Sequence, residues 1–206
     1  MTAPPAGHAA PGSDTGDRRL WRVFPYDALA PAGAPFSAAW VPRGQGAGRF
    51  DVPDASPVWY LAESPVHAVA EVLQGLRGQT LDADDLRRFG HPLACVDAHV
   101  PAAFAARVVD LCDPSELARR DIRPDRLASR ELATTQRIAR ALHAEGAAGF
   151  RWWSSLSGDW HGTVLFVERL PVGVPAFGTP EPLAIASPVV RAACLELGIA
   201  VRRPRR

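Results

Sequence analysis

Tyr60 and Glu71 sit on consecutive elements of one largely apolar stretch. Residues 58–62 (Val-Trp-Tyr-Leu-Ala) are continuously apolar and read as a buried strand. Ser64 and Pro65 then supply a helix cap and a first helical residue. On that helix Val66, Val69, Ala70, Leu73 and Leu76 share one face, while Glu71 lies ~150° from the centre of the stripe and His67 shares its polar side. A carboxylate so placed is either a solvated helix charge or one presented together with the Tyr60 ring at the edge of a cleft. The glycines at 44, 46 and 48 resemble a nucleotide loop only loosely, because a proline-rich loop precedes them and Phe50-Asp51-Val52-Pro53 follows. A dinucleotide fingerprint needs a strand before it and a helix opening from it. The chain also contains no lysine, which excludes a P-loop. All its basic side chains apart from histidine are arginines, whose planar forks suit phosphate recognition.

The elements that must position these groups point to an α+β fold. Residues 20–24 alternate apolar and polar as in a strand, and 93–99 and 107–111 read as two more. Residues 125–145 carry a helical pattern with Leu132, Ile138, Ala139 and Leu142 inward and Gly146 ending it. Strands at 150–153 and 163–168 close across a turn at 157–159, with His161 in the loop, and 188–197 form one short helix. One of Trp152 and Trp153 packs inward; the other lines a cleft or a partner surface. His143 reads as helix surface. Residues 25–48, rich in Pro, Gly and Ala, form a long loop with room for a short element at 36–41. Strands that do not alternate regularly with long helices favour α+β over a doubly wound sheet.

At 206 residues with 47% hydrophobic content the chain can build a real core. A net charge of +1 gives no field that favours nucleic acid or an acidic membrane surface. Cys95, Cys112 and Cys194 are far apart and form no CxxC pair, which argues against disulfides and zinc and fits a reducing compartment. No apolar run approaches the ~20 residues of a membrane span, and the first residues lack a signal pattern. These features predict a cytoplasmic protein with no metal. Three segments are expected: a disordered arm at 1–19, a catalytic domain at 20–170, and an extension at 171–206 with a short helix and a basic tail.

Five pieces in order carry a family resemblance: Leu20-Trp21-Arg22-Val23, Ala47-Gly48-Arg49-Phe50-Asp51, Val58-Trp59-Tyr60-Leu61-Ala62-Glu63-Ser64, the Glu71 helix, and Gly149-Phe150-Arg151-Trp152-Trp153-Ser154-Ser155. Thr134-Thr135-Gln136 adds a helix start between the last two. Together they resemble the RES domain family, with Ala47-Gly48 and Phe50-Asp51 standing where the family has Gly-Gly and Trp-Asn. The resemblance implies an ADP-ribosyltransferase-like core of mixed and antiparallel strands with packed helices. It also implies NAD as substrate and cleavage of the nicotinamide–ribose bond, by hydrolysis or with inorganic phosphate as acceptor.

On that reading Glu71 stabilises an oxocarbenium-like ribosyl cation, Arg22 and Arg49 hold the pyrophosphate, and Tyr60 packs the nicotinamide. Ser154, Ser155, Thr134 and Thr135 all compete for the family's hydroxyl. The family implies a toxin paired with an Xre-type DNA-binding antitoxin. The alternatives are transfer of ADP-ribose to a protein, weakened by Val69 two positions before Glu71, and a non-catalytic interaction module.

Overall fold

The computed structural model describes residues 16–42 and 44–202. In chain order the elements are β1 (Arg18–Pro25), β2 (Val58–Ala62), α1 (Pro65–Leu73), β3 (Thr80–Leu81), β4 (Arg87–Arg88), β5 (His91–Val100), α2 (Ala102–Ala105) and β6 (Val108–Asp110). Then come α3 (Pro114–Arg119), α4 (Pro124–Leu127), α5 (Leu132–Ala144), β7 (Gly149–Trp153), β8 (His161–Phe166), β9 (Ala176–Phe177), β10 (Glu181–Pro182), α6 (Pro188–Leu197) and β11 (Ala200–Val201). The main sheet runs β10-β5-β1-β2-β8-β7-β6, with β4 and β9 also paired to β5. Within it only β6 and β7 are parallel. This is the α+β arrangement expected from the sequence.

Strand alternation decides what each face receives. Along β1, Trp21 and Val23 pack with Val69, Ala70 and Leu73 of α1, whereas Leu20 and Phe24 join clusters on the opposite face. β2 lies between β1 and β8, which explains its unbroken apolar run. Its register pairs Tyr60 with Val164. Helix α1 begins as expected: Ser64 caps it by accepting from the His67 amide at 3.1 Å, and Pro65 takes the first position.

Four expectations change. The helix at 125–145 is two helices, α4 and α5, and Leu132 is exposed rather than inward. The break has a local cause: Ser129 Oγ accepts from the Glu131 amide at 3.0 Å, a turn that competes with helix continuation. Residues 36–41 form turns, with no helix or strand. Residues 18 and 19 belong to β1, and Asp17 accepts from the Ala102 amide, so order extends into the segment expected to be an arm; residues 1–15 of that segment lie outside the described residues. Residues 171–202 are not a separate extension. β9 and β10 pair with β5, β11 pairs with β3, and Val190, Ala193, Cys194 and Leu197 of α6 pack against α1. Residues 203–206 of the basic tail lie outside the described residues.

Candidate active site

Glu71, in the last turn of α1, lines a cavity of about 200 Å³. Tyr60, Trp152, His67, Trp21 and Gly162 contribute to the wall. The glycine is required: a Cβ on Gly162 would meet the Trp152 ring at 2.5 Å, so the indole lies flat against β8. Tyr60 and Trp152 meet edge to face at 6.4 Å. The cavity is smaller than the ~300–1,000 Å³ that takes a whole ligand, so it suits one ring-sized end of a larger molecule. A separate cavity of about 150 Å³, bordered by Gln45, Asp54 and Ser56, holds none of the predicted catalytic residues.

The Glu71 side chain keeps 40% of its exposure, yet its carboxylate is firmly held. Oε1 lies 2.9 Å from His67 Nε2 and accepts from Ser154 Oγ at 2.8 Å. Among the described residues, Oε2 accepts only from the Gln74 amide group, at 3.0 Å. Burial pushes the carboxyl up, but the bonds from His67 and Ser154, together with the neighbouring Arg49 charge, outweigh it and hold it below the ordinary glutamate value. Glu71 is therefore ionised at neutral pH, with one oxygen committed inward.

Ser154 is the hydroxyl that reaches Glu71. It is buried, and its Oγ also accepts from the Leu156 amide at 3.1 Å. Ser155 is exposed. Thr134 and Thr135 are not brought to the cavity: Thr134 donates to the Glu131 carboxylate, and Thr135 reaches the Glu131 and Leu132 carbonyls in the first turn of α5.

Tyr60 is fixed by its hydroxyl, which donates to Asp51 Oδ1 at 2.7 Å and accepts from the Phe50 amide at 2.9 Å. Burial and the Asp51 carboxylate push the phenol well above its ordinary value, so it stays neutral. Asp51 is itself buried, and its second oxygen accepts from the Gly48 amide at 2.7 Å. Its charge is thus spent inside the turn. From α5, Gln136 donates to the Gly46 and Gly48 carbonyls and pins the same turn.

Arg49 leaves that turn toward the site. Its Nη2 donates to the Leu127 carbonyl at 2.6 Å, and its buried Nε has no partner. Burial lowers its proton affinity, while Glu71 and Tyr60 favour its charged form and Arg130 opposes it. Arg49 therefore shares the electrostatic neighbourhood of Glu71 and retains free donors.

Arg22 requires a correction. Its position in β1 turns its side chain to the face opposite α1, because neighbouring strand residues alternate. The guanidinium lies over Phe24 and Phe177 at 5.1 and 5.8 Å, and Nη1 donates to the Ala38 and Trp40 carbonyls at 2.9 and 3.2 Å. Burial pulls its pKa down to about 10. Arg22 is among the residues that line the Glu71 cavity, but its guanidinium is engaged as a brace for residues 38–40.

The histidines also depart from expectation. His67 is 1% exposed, stacked on Trp160 with centroids 5.1 Å apart. His143 is buried, 2.5 Å from Glu168 Oε1, instead of lying on the surface. His161 opens β8 rather than sitting in a loop. The sequence held one signal for His67, its spacing of four from Glu71. Nothing local announced that Trp160 would cover it. Among the described residues, no group of three or more His, Cys, Asp and Glu side chains is placed to hold a metal ion. No helix among them is long and apolar enough to cross a membrane.

Comparison with known proteins agrees with this architecture. A chain of the M. tuberculosis MbcT–MbcA toxin–antitoxin complex superposes with a TM-score of 0.58 at 18% identity, covering 90% of this chain and 92% of that one. A search of curated protein sequences finds no match. The sequence model of the RES domain matches residues 19–185, nearly the whole main sheet and helices α1 to α5, and on that match the chain belongs to the RES domain family.

Proposed function

We propose that the protein is a toxin that destroys NAD by cleaving the bond between nicotinamide and ribose. The observation that carries this reading is the Glu71 carboxylate, ionised and held by two donors at the rim of an aromatic-walled cavity. Nicotinamide enters the cavity against the wall that Tyr60 and Trp152 form together, an apolar surface that suits a flat ring. The ribose C1′ then lies near Glu71, and the Arg49 guanidinium, in the electrostatic neighbourhood of Glu71, takes the pyrophosphate. When the C1′–N bond breaks, its electron pair stays on the nicotinamide nitrogen and cancels the ring charge. Positive charge grows on the ribosyl carbon, and the carboxylate stabilises it. A water or inorganic phosphate oxygen bonds to C1′, giving ADP-ribose or its phosphate ester. Positioning and electrostatics supply the acceleration.

Transfer to a protein is less well supported, because the position two residues before Glu71 is the fully buried Val69. The structural likeness to a chain of a toxin–antitoxin complex supports an antitoxin partner, here proposed to be of the Xre type. The deciding experiment incubates pure protein with NAD, with and without phosphate, and identifies products by mass. Glu71→Gln should reduce turnover by about a hundredfold or more while stability moves within about 1 kcal/mol. Undiminished NAD cleavage by that variant removes the assignment. In cells, induced expression should deplete NAD and stop growth, and the Glu71→Gln chain should be tolerated.

A further inference from the structure

Among the described residues, His67 has a single hydrogen-bonding partner through its ring, and that partner is Glu71. A buried histidine with a purely structural task normally satisfies both ring nitrogens. Here Nε2 reaches Glu71 Oε1 at 2.9 Å, while Nδ1 is buried without a partner. Because a carboxylate oxygen accepts, the proton of that contact belongs to Nε2. The ring is held from the other side. Trp160 stacks on it at 27° between planes, and the Ser154 amide donates to the Trp160 carbonyl at 2.6 Å. One short loop thus supplies both the second donor to Glu71, Ser154, and the aromatic plate that keeps His67 in place.

Both buried donors converge on Oε1 and neither touches Oε2. A carboxylate can accept about four hydrogen bonds, so this asymmetry orients the group rather than merely satisfying it. We propose that His67 is a positioning residue that, with Ser154, locks Oε1 of Glu71 and leaves Oε2 as the oxygen presented to the substrate. The proposal rests on Glu71 being the catalytic carboxylate, and Gln74, the only donor on Oε2 among the described residues, sits at an exposed contact that a ribose hydroxyl can replace.

Two substitutions separate the donor from the ring. His67→Phe keeps a stacking plane and removes the donor; His67→Gln keeps an N–H at comparable reach and removes the plane. Each is compared with the parent by NAD turnover and by carbon NMR titration of the Glu71 carboxyl, assigned through Glu71→Gln. The Phe variant should lower kcat about tenfold or more with KM within about twofold, and raise the Glu71 pKa. The Gln variant should restore most of both. If the Phe variant does not fold, His67→Leu carries the same comparison. A Phe variant whose Glu71 titrates and turns over as in the parent overturns the proposal, as does a Gln variant that falls with Phe in both readouts. Should the parent leave NAD untouched, the functional reading fails, while the Glu71 titration still decides whether His67 holds that carboxylate.

Discussion

Ser154 donates to Glu71 while its neighbour Ser155 is exposed, so substituting the two separates chemistry from composition. Ser154→Ala should cut NAD turnover about tenfold, since one charge-assisted hydrogen bond is lost, and Ser155→Ala should leave kcat and KM unchanged. Arg22 makes the opposite kind of prediction. Replacing it with Met strands the Ala38 and Trp40 carbonyls and should destabilise the fold by about 2–3 kcal/mol in urea titration, while folded protein keeps its NAD affinity. Arg49→Lys should weaken NAD binding with little change in stability, because an ammonium cannot reproduce a fork. At this scale the sequence revealed residue types better than directions. Glu71, Tyr60 and Arg49 were legible from their motifs; Glu71 and Tyr60 line one cavity, and Arg49 lies in the electrostatic neighbourhood of Glu71. The side of the sheet that Arg22 occupies follows from strand register, and the burial of His67 follows from a loop far along the chain; neither is written in the residues adjacent to them.

The turn at 44–51 shows how separate elements share one task. Its Gly48 lies so close to the Asp51–Tyr60 pair that an added Cβ would meet Asp51 Oδ1 and the Tyr60 hydroxyl at 2.5 Å each. Gly48→Ala should therefore displace Tyr60 and Arg49 together, lowering both the melting temperature and the affinity for NAD; a variant that loses neither would show that the turn has slack. Several elements were readable from local rules: β2 from its apolar run, α1 from its Ser-Pro start, and α6 from Pro188 and the left-handed Gly198 that ends it. The division between α4 and α5 was not, because a helical pattern continues through 128–131 while the Ser129 hydroxyl takes the Glu131 amide out of the helix ladder. A single side-chain turn overrides the periodicity there.

Taken whole, the fold keeps its thiols buried or half-buried and ties the segment after residue 170 to the main sheet. Burial raises the Cys95 and Cys112 thiols to about 11 and about 12, and pushes Cys194 up as well. Alkylation at pH 8 should be slow for all three and should accelerate on unfolding, which makes labelling a probe of global stability. The segment after residue 170 looked separable in sequence because its proline-rich stretches carry no periodic pattern. Its short strands gain their stability from β5, not from themselves. Leu197→Ala, which hollows the contact between α6 and α1, should cost about 2–4 kcal/mol, and heat inactivation of NAD cleavage should follow the shifted melting curve. That contact also sets an order in time. During synthesis the helix carrying Glu71 emerges long before α6, and until Leu197 has been made the apolar side of α1 lacks a floor. A growing chain therefore completes its carboxylate site only late, and the activity proposed for that site falls to the finished copy alone.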